Sequence, residues 1–131
     1  LIVLKFEHSF IIKSEDIDRQ GHVNNVRYVQ WIQDVAVAHW FHAATRDQLQ
    51  DVTWVVLRHE IDYLRPAFEN EEVTACTWVG KATAAKCERF TEIRLLDQTL
   101  VRAKSLWCAL DSKTLRPRRI DDELKEKFDM T

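Results

Sequence analysis

The chain has 131 residues, 46% of them hydrophobic and 31% charged, with a formal net charge of −2. That length fits one domain around a single core, expected over residues 1–131. The near-neutral balance argues against a protein held on nucleic acid by bulk electrostatics. The leading LIVLKF is far too short for a signal peptide or a membrane span, and Lys5, Glu7 and His8 break it up. A cytoplasmic protein without membrane association is expected.

A first strand is predicted over residues 3–13, where Phe6, His8, Phe10 and Ile12 alternate loosely with polar neighbours. Residues 14–21 form a turn dense in hydrogen-bonding side chains. Asp16, Asp18, Gln20, Gly21, His22, Asn24 and Asn25 follow one another closely, and Asn24 is a fitting N-cap. A helix then runs to about Ala44. Arg27, Gln30 and Asp34 make one narrow polar stripe on it. Tyr28, Trp31, Val35 and Ala38 cover one flank, and Val29, Ile32, Ala36, Trp40 and Ala43 the other. A helix apolar over so much of its circumference must be enclosed by its own fold or by a partner.

Residues 45–51 read as a connecting loop, and strands follow. The first spans residues 52–64, with Val55, Leu57, Ile61 and Tyr63 on one face and Arg58, Glu60 and Asp62 on the other, ending at Arg65-Pro66. Residues 72–83, 86–96 and 100–111 are three more strands. Their links are short and polar (Glu69-Asn70-Glu71, Ala84-Ala85, Asp97-Gln98), so sequential strands are expected to pair antiparallel. After a turn containing Pro117, residues 121–128 fit a short helix capped by Asp121.

Glycine is scarce, with two in the chain. Gly21 falls in the polar turn, where a conformation closed to other residues or a close approach by a ligand would require it. Gly80 falls inside a strand and points to a bulge or sharp twist. The three cysteines, Cys76, Cys87 and Cys108, are odd in number and far apart, without a CxxC pair. They read as buried free thiols.

The architecture that follows is α+β: one long helix, then a five-stranded antiparallel sheet curling around it. Here the sequence resembles the hotdog-fold thioesterases of the 4-hydroxybenzoyl-CoA thioesterase-like group. Asp18-Arg19-Gln20-Gly21-His22-Val23-Asn24-Asn25 followed by Tyr28 is similar to the signature D-x-x-G-H-V-N-N-x-x-Y. Ile61 through Pro66 is similar to the strand after the helix in that family, and Leu110-Asp111 through Pro117 to its last strand and turn. The HVNNVRY run also resembles acyl-ACP thioesterases, although Gln20 replaces the Asn of their D-x-N-x-H pattern.

The resemblance implies hydrolysis of an acyl-CoA thioester, with coenzyme A as part of the substrate and no metal or redox cofactor. It places Asp18 at the catalytic acidic position, as general base or nucleophile. The free backbone N–H groups at the helix start, that of Asn25 above all, would polarise the carbonyl. Gly21 would let the thioester approach the backbone, and His22 would hydrogen-bond the acid, orient the water or protonate the leaving thiolate. Asp34 on the helix stripe is the alternative acid. For substrate binding the expected residues are Gln20, Tyr28, Trp54 in an acyl pocket, His59 across a dimer interface, and Lys81, Lys86 and Arg89 for coenzyme A phosphates. His39 and His42 lie one turn apart but lack a completing carboxylate, so they read as structural. A homodimer, with pairing into tetramers left open, is implied. Two other readings stand beside this one: an acyl-ACP thioesterase, and a hotdog module that binds acyl thioesters without turnover.

Overall fold

The computed structural model describes residues 5–131. Its elements are β1 (Phe6–Ile11), α1 (Asn25–Ala43), α2 (Arg46–Asp51), β2 (Val52–Tyr63), β3 (Glu72–Thr83), β4 (Lys86–Leu95), β5 (Gln98–Asp111) and α3 (Asp122–Lys127). A single 3-10 turn, Ser14–Asp16, precedes α1. The part of the expected first strand at Val3 and Leu4 lies outside the described residues. The five strands form one antiparallel sheet in the order β1-β3-β4-β5-β2. With α1 packed on one face, this is the hotdog fold.

The helix begins where the Asn24 side chain accepts the Val26 N–H at 3.0 Å. It stops at Ala44, and Thr45 immediately caps a second helix. The Thr45 hydroxyl accepts from the Gln48 N–H while the Gln48 side chain accepts from that of Thr45. The expected loop over 45–51 is therefore α2. Thr45 followed three residues later by Gln48 is a capping box, and it was legible in the sequence.

Tyr28, Trp31, Ile32, Val35, Ala36 and His39 form the buried face of α1. The first four pack with Val73, Ala75, Ile93, Val101 and Ala103 of the sheet. Further along, Ala36 joins a second cluster with Val79, Cys87, Trp107, Ala109 and, from the C-terminal segment, Leu124 and Phe128. Between the clusters runs a buried polar group: Thr77, Thr91, Arg89 and Ser105 on the inner face of β3, β4 and β5. His59 of β2 adjoins it, its Nδ1 lying 2.6 Å from the Ser105 hydroxyl.

Two expectations about the sheet are corrected. β2 and β3 are sequential but not neighbours, because β2 crosses to pair with β5 and β3 pairs with β1 and β4. The stretch 64–71 is thus a crossover rather than a hairpin turn. Second, the register of β2 shifts between Val56 and Arg58. An extra residue there reverses the side-chain alternation. Ile61 packs on the core, whereas Val55 and Leu57 are exposed, so they do not share one face. Gly80 does sit at an irregularity, where the β3–β4 register shifts between Val79 and Ala82. A Cβ on it would come within 2.7 Å of the Phe90 ring.

All three cysteines are buried and free. Burial pushes the Cys87 thiol up to about 11. No helix among the described residues is long and apolar enough to cross a membrane.

Candidate active site at the start of the central helix

The polar turn is anchored by Asp16, whose side chain is 4% exposed. Its carboxylate accepts the Arg27 Nε–H at 2.8 Å and the Lys13 N–H at 2.9 Å. Its carbonyl accepts the Asn24 N–H, and the neighbouring Val23 N–H goes to Ala67 in the crossover. The N-cap is therefore pinned from two sides before the helix starts. Nothing in the sequence marks Asp16 and Arg27 as an anchor. An acid two residues before Asp18 carried no period that would have set it apart.

Between these anchors, residues 18–22 close a small loop. The Asp18 N–H donates to the His22 carbonyl, and the Gly21 N–H to the Asp18 carbonyl. Asp18 Oδ1 accepts the Gln20 N–H at 2.9 Å. Its other oxygen, Oδ2, lies 3.6 Å from His22 Nδ1, and both side chains are partly exposed. Gly21 sits at φ +89° with open space where a Cβ would be. It is needed for the backbone conformation and leaves the loop uncovered.

Beside this loop a cleft of about 160 Å³ is lined by His22, Val23, Asn25, Tyr28, Tyr63, Leu64, Arg65 and Pro66. Asn25 opens the helix, so its N–H has no acceptor within the helix and carries the positive end of the dipole. Tyr63 donates weakly to the Asn25 carbonyl at 3.4 Å. The Tyr28 hydroxyl is buried near the Ala67 backbone without a partner of hydrogen-bond geometry, and burial pushes it up to about 12. It stays protonated as a donor. Tyr63 and Arg65 belong to this cleft and were not expected there; the polar end of a strand returning to the helix start was the available signal.

Asp18, Gly21, His22, Asn25 and Tyr28 are thus brought together, with Gln20 on the exposed rim. The remaining expected residues are elsewhere. Lys81 and Lys86 are exposed on the β3–β4 hairpin, beside the cluster that packs on the second half of α1. Arg89 is not beside them on the surface. It is 8% exposed, pointing inward with Cys87, Thr91 and Ile93. Its parity along β4 with those residues was the signal that it faces the core. His59 is partly buried, held by Ser105, and burial lowers its pKa. Asp34 is exposed, accepting from Gln30 at 2.8 Å, and faces a separate polar cleft with His8, Asp16 and Arg27. His39 is a packed core residue: it stacks on Phe6 at 5.3 Å and accepts from Arg89 at 2.9 Å.

Trp54 lines a larger cavity, about 290 Å³, at the other end of α1. Ala36, Trp40, Phe41, Leu49, Trp107 and Phe128 are among its walls. The unexpected helix α2 supplies Leu49.

The sequence matches the family described as acyl-ACP thioesterase N-terminal domain over residues 3–128. The chain belongs to this family. Among solved structures, a probable thioesterase from Escherichia coli superposes with a TM-score of 0.78 at 23% identity, covering 92% of this chain and 94% of that one. A 1,4-dihydroxy-2-naphthoyl-CoA thioesterase from Synechocystis gives 0.79 at 15% identity, covering 95% of each. The 12:0-ACP thioesterase from Umbellularia californica gives 0.77 at 20%, covering 94% of this chain and 49% of that one. At these identities the likeness is one of fold. An uncharacterized protein of Mycobacterium tuberculosis is 24% identical over 122 residues, which are 92% of this chain and 47% of the relative. The chain spans about half the length of the curated relatives it matches.

Proposed function

We propose that this hotdog domain hydrolyses acyl-CoA thioesters to a free carboxylic acid and coenzyme A. The observation that carries the proposal is the Asp18 carboxylate beside His22, on a loop that opens onto the start of α1, where the Asn25 N–H has no acceptor within the helix. Asp18 takes a proton from a water that attacks the thioester carbonyl carbon, or attacks that carbon itself to give a mixed anhydride that water cleaves after the thiol has left, releasing the acid and restoring Asp18. The carbonyl oxygen gains charge and is held by the Asn25 N–H at the positive end of the helix. The C–S bond then breaks, and the departing thiolate leaves as the free thiol once protonated. Such a positioned base contributes roughly 10²–10⁴-fold.

A homodimer is part of this proposal. Val26, Val37 and Phe41 are exposed on α1, and Val55 and Leu57 on the edge strand β2. A two-fold axis across α1 sets two such helices antiparallel. The start of one then adjoins the second half of the other, bringing Asp18 of one protomer near the large cavity of its partner. Lys81 and Lys86 at that same end would meet the coenzyme A phosphates.

An acyl-ACP thioesterase is the second reading, favoured by the family match. Thiol release from acyl-CoA and acyl-ACP, measured for wild type and Asp18→Asn, tests both. Turnover of acyl-CoA that collapses in the variant supports the first. Turnover confined to acyl-ACP replaces it with the second. Turnover that survives in Asp18→Asn removes Asp18 from the chemistry.

A further inference from the structure

The large cavity is not uniformly apolar. Its walls are mostly Trp40, Phe41, Leu49, Trp54, Trp107 and Phe128, yet Arg89 also lines it. Nη1 of Arg89 donates to His39 Nδ1 at 2.9 Å and to Thr77 Oγ1 at 3.1 Å. Among the described residues, no carboxylate pairs with this guanidinium. His39 is a neutral acceptor and not a counter-charge, its pKa held down to about 4 by burial and the adjacent Arg89. Two of the wall residues, Trp54 and Trp107, bring further donors. Their indole N–H groups are buried without a hydrogen-bond partner among the described residues.

A buried cation without a counter-charge costs free energy, and so does each buried N–H left unpaired. A guanidinium without a counter-charge on the cavity wall, with the unpaired indoles of two wall residues beside it, is poorly matched to a plain hydrocarbon tail. Together these groups match a ligand that is apolar along its length and carries an anionic oxygen at its end.

We propose that the cavity selects acyl groups ending in a carboxylate, with Arg89 as the counter-charge and Trp54 and Trp107 as flanking donors. Resting on the thioesterase reading, this makes the substrate the half-thioester of a dicarboxylic acid, its methylenes lying against the aromatic walls. The thioester end points out past Val37 and Phe41, towards the partner's helix start. About 18 Å of helix axis, at 1.5 Å per residue, separates Asn25 from Val37 in the same chain, so the reacting carboxylate comes from the other protomer.

The test compares octanoyl-CoA with the CoA half-thioester of octanedioic acid, which has equal length and one added carboxylate. Wild type should prefer the latter by roughly tenfold or more in kcat/KM, as a charged hydrogen bond warrants. Arg89→Met should abolish the preference, and Trp54→Phe, which keeps the ring and removes the N–H, should reduce it. Equal rates, or a preference for octanoyl-CoA, overturn the proposal and leave the thioesterase reading standing. Binding is measured separately by tryptophan fluorescence, with octanamide and the monoamide of octanedioic acid as probes. If no thioester is hydrolysed, the hydrolytic reading fails. Tighter binding of the monoamide by wild type, lost in Arg89→Met and reduced in Trp54→Phe, would still support the cavity's selectivity, and equal binding of the two amides would overturn it.

Discussion

The Arg89 guanidinium donates to Nδ1 of His39 at 2.9 Å, which fixes that ring nitrogen as an acceptor and the imidazole as neutral. The contact has a consequence for acid stability. Burial, then Arg89 and His42, lower the His39 pKa from 6.5 to about 4. In the unfolded chain the ring regains its usual value, so between these pH values the unfolded state binds more protons. Stability therefore falls as pH drops from 6.5 and levels off near 4. A shift of this size corresponds to roughly 3 kcal/mol. Urea unfolding at about pH 7 and about pH 4.5 should show a larger loss for wild type than for His39→Asn, whose amide oxygen can still accept from Arg89. Equal losses would mean that His39 is not the group responsible.

Asp16 and Asp18 should separate cleanly by substitution. Asp16→Ala removes the acceptor of Arg27 and Lys13 beneath the helix start, and roughly 2 kcal/mol of stability should go with it. Asp18→Asn keeps an oxygen for the Gln20 N–H and lies on the partly exposed loop. It should leave the melting temperature within about 2 °C while lowering kcat by roughly 10²-fold or more. Thermal melts and thiol release on the same samples check both. The reverse pattern would exchange the roles given to the two acids.

Gly21→Ala isolates backbone conformation from packing. Nothing lies within 4 Å of the added methyl, but φ is +89°. The strain of that conformation for an L-residue should cost roughly 1–2 kcal/mol, and kcat should fall further than the melting temperature implies as the Asp18 loop relaxes. Gly21→Asn, better tolerated at positive φ, should recover part of both. Equal damage from the two substitutions would point to a ligand needing the space instead.

Phe41 is 65% exposed on α1. If this face meets a second copy, Phe41→Glu should convert a dimer to a monomer in sedimentation and remove turnover, without unfolding the chain. A wild type that sediments as a monomer would mean that the site is not shared between two protomers.

The long helix was legible because Asn24 caps it and its polar positions keep one stripe. The expected strand over 72–83 coincides with β3, because its alternation and the flanking turns agree. The crossover after Tyr63 was not legible. A short polar link looks like a hairpin, and only the packing of the whole sheet sends β2 to β5. The bulge at Val56–Arg58 was hidden for a similar reason: no glycine marks it, and a single inserted residue leaves the composition of both faces plausible. At the site, Asp18 through Asn25 come together because they are neighbours in sequence. Tyr63 and Arg65 arrive through tertiary structure. Arg89 was misplaced because an arginine reads as surface by type, although its alternation with Cys87 and Ile93 put it inside.

The buried thiols bear on how the reaction is followed. A disulfide reagent that colours on meeting free thiol would report each coenzyme A released. Cys76, Cys87 and Cys108, at 6%, 4% and 6% exposure, are shielded from the reagent while the chain is folded, so the protein contributes little background. Unfolding would uncover them together. One colorimetric trace can therefore separate turnover, a rise that scales with substrate, from denaturation, a step that scales with protein.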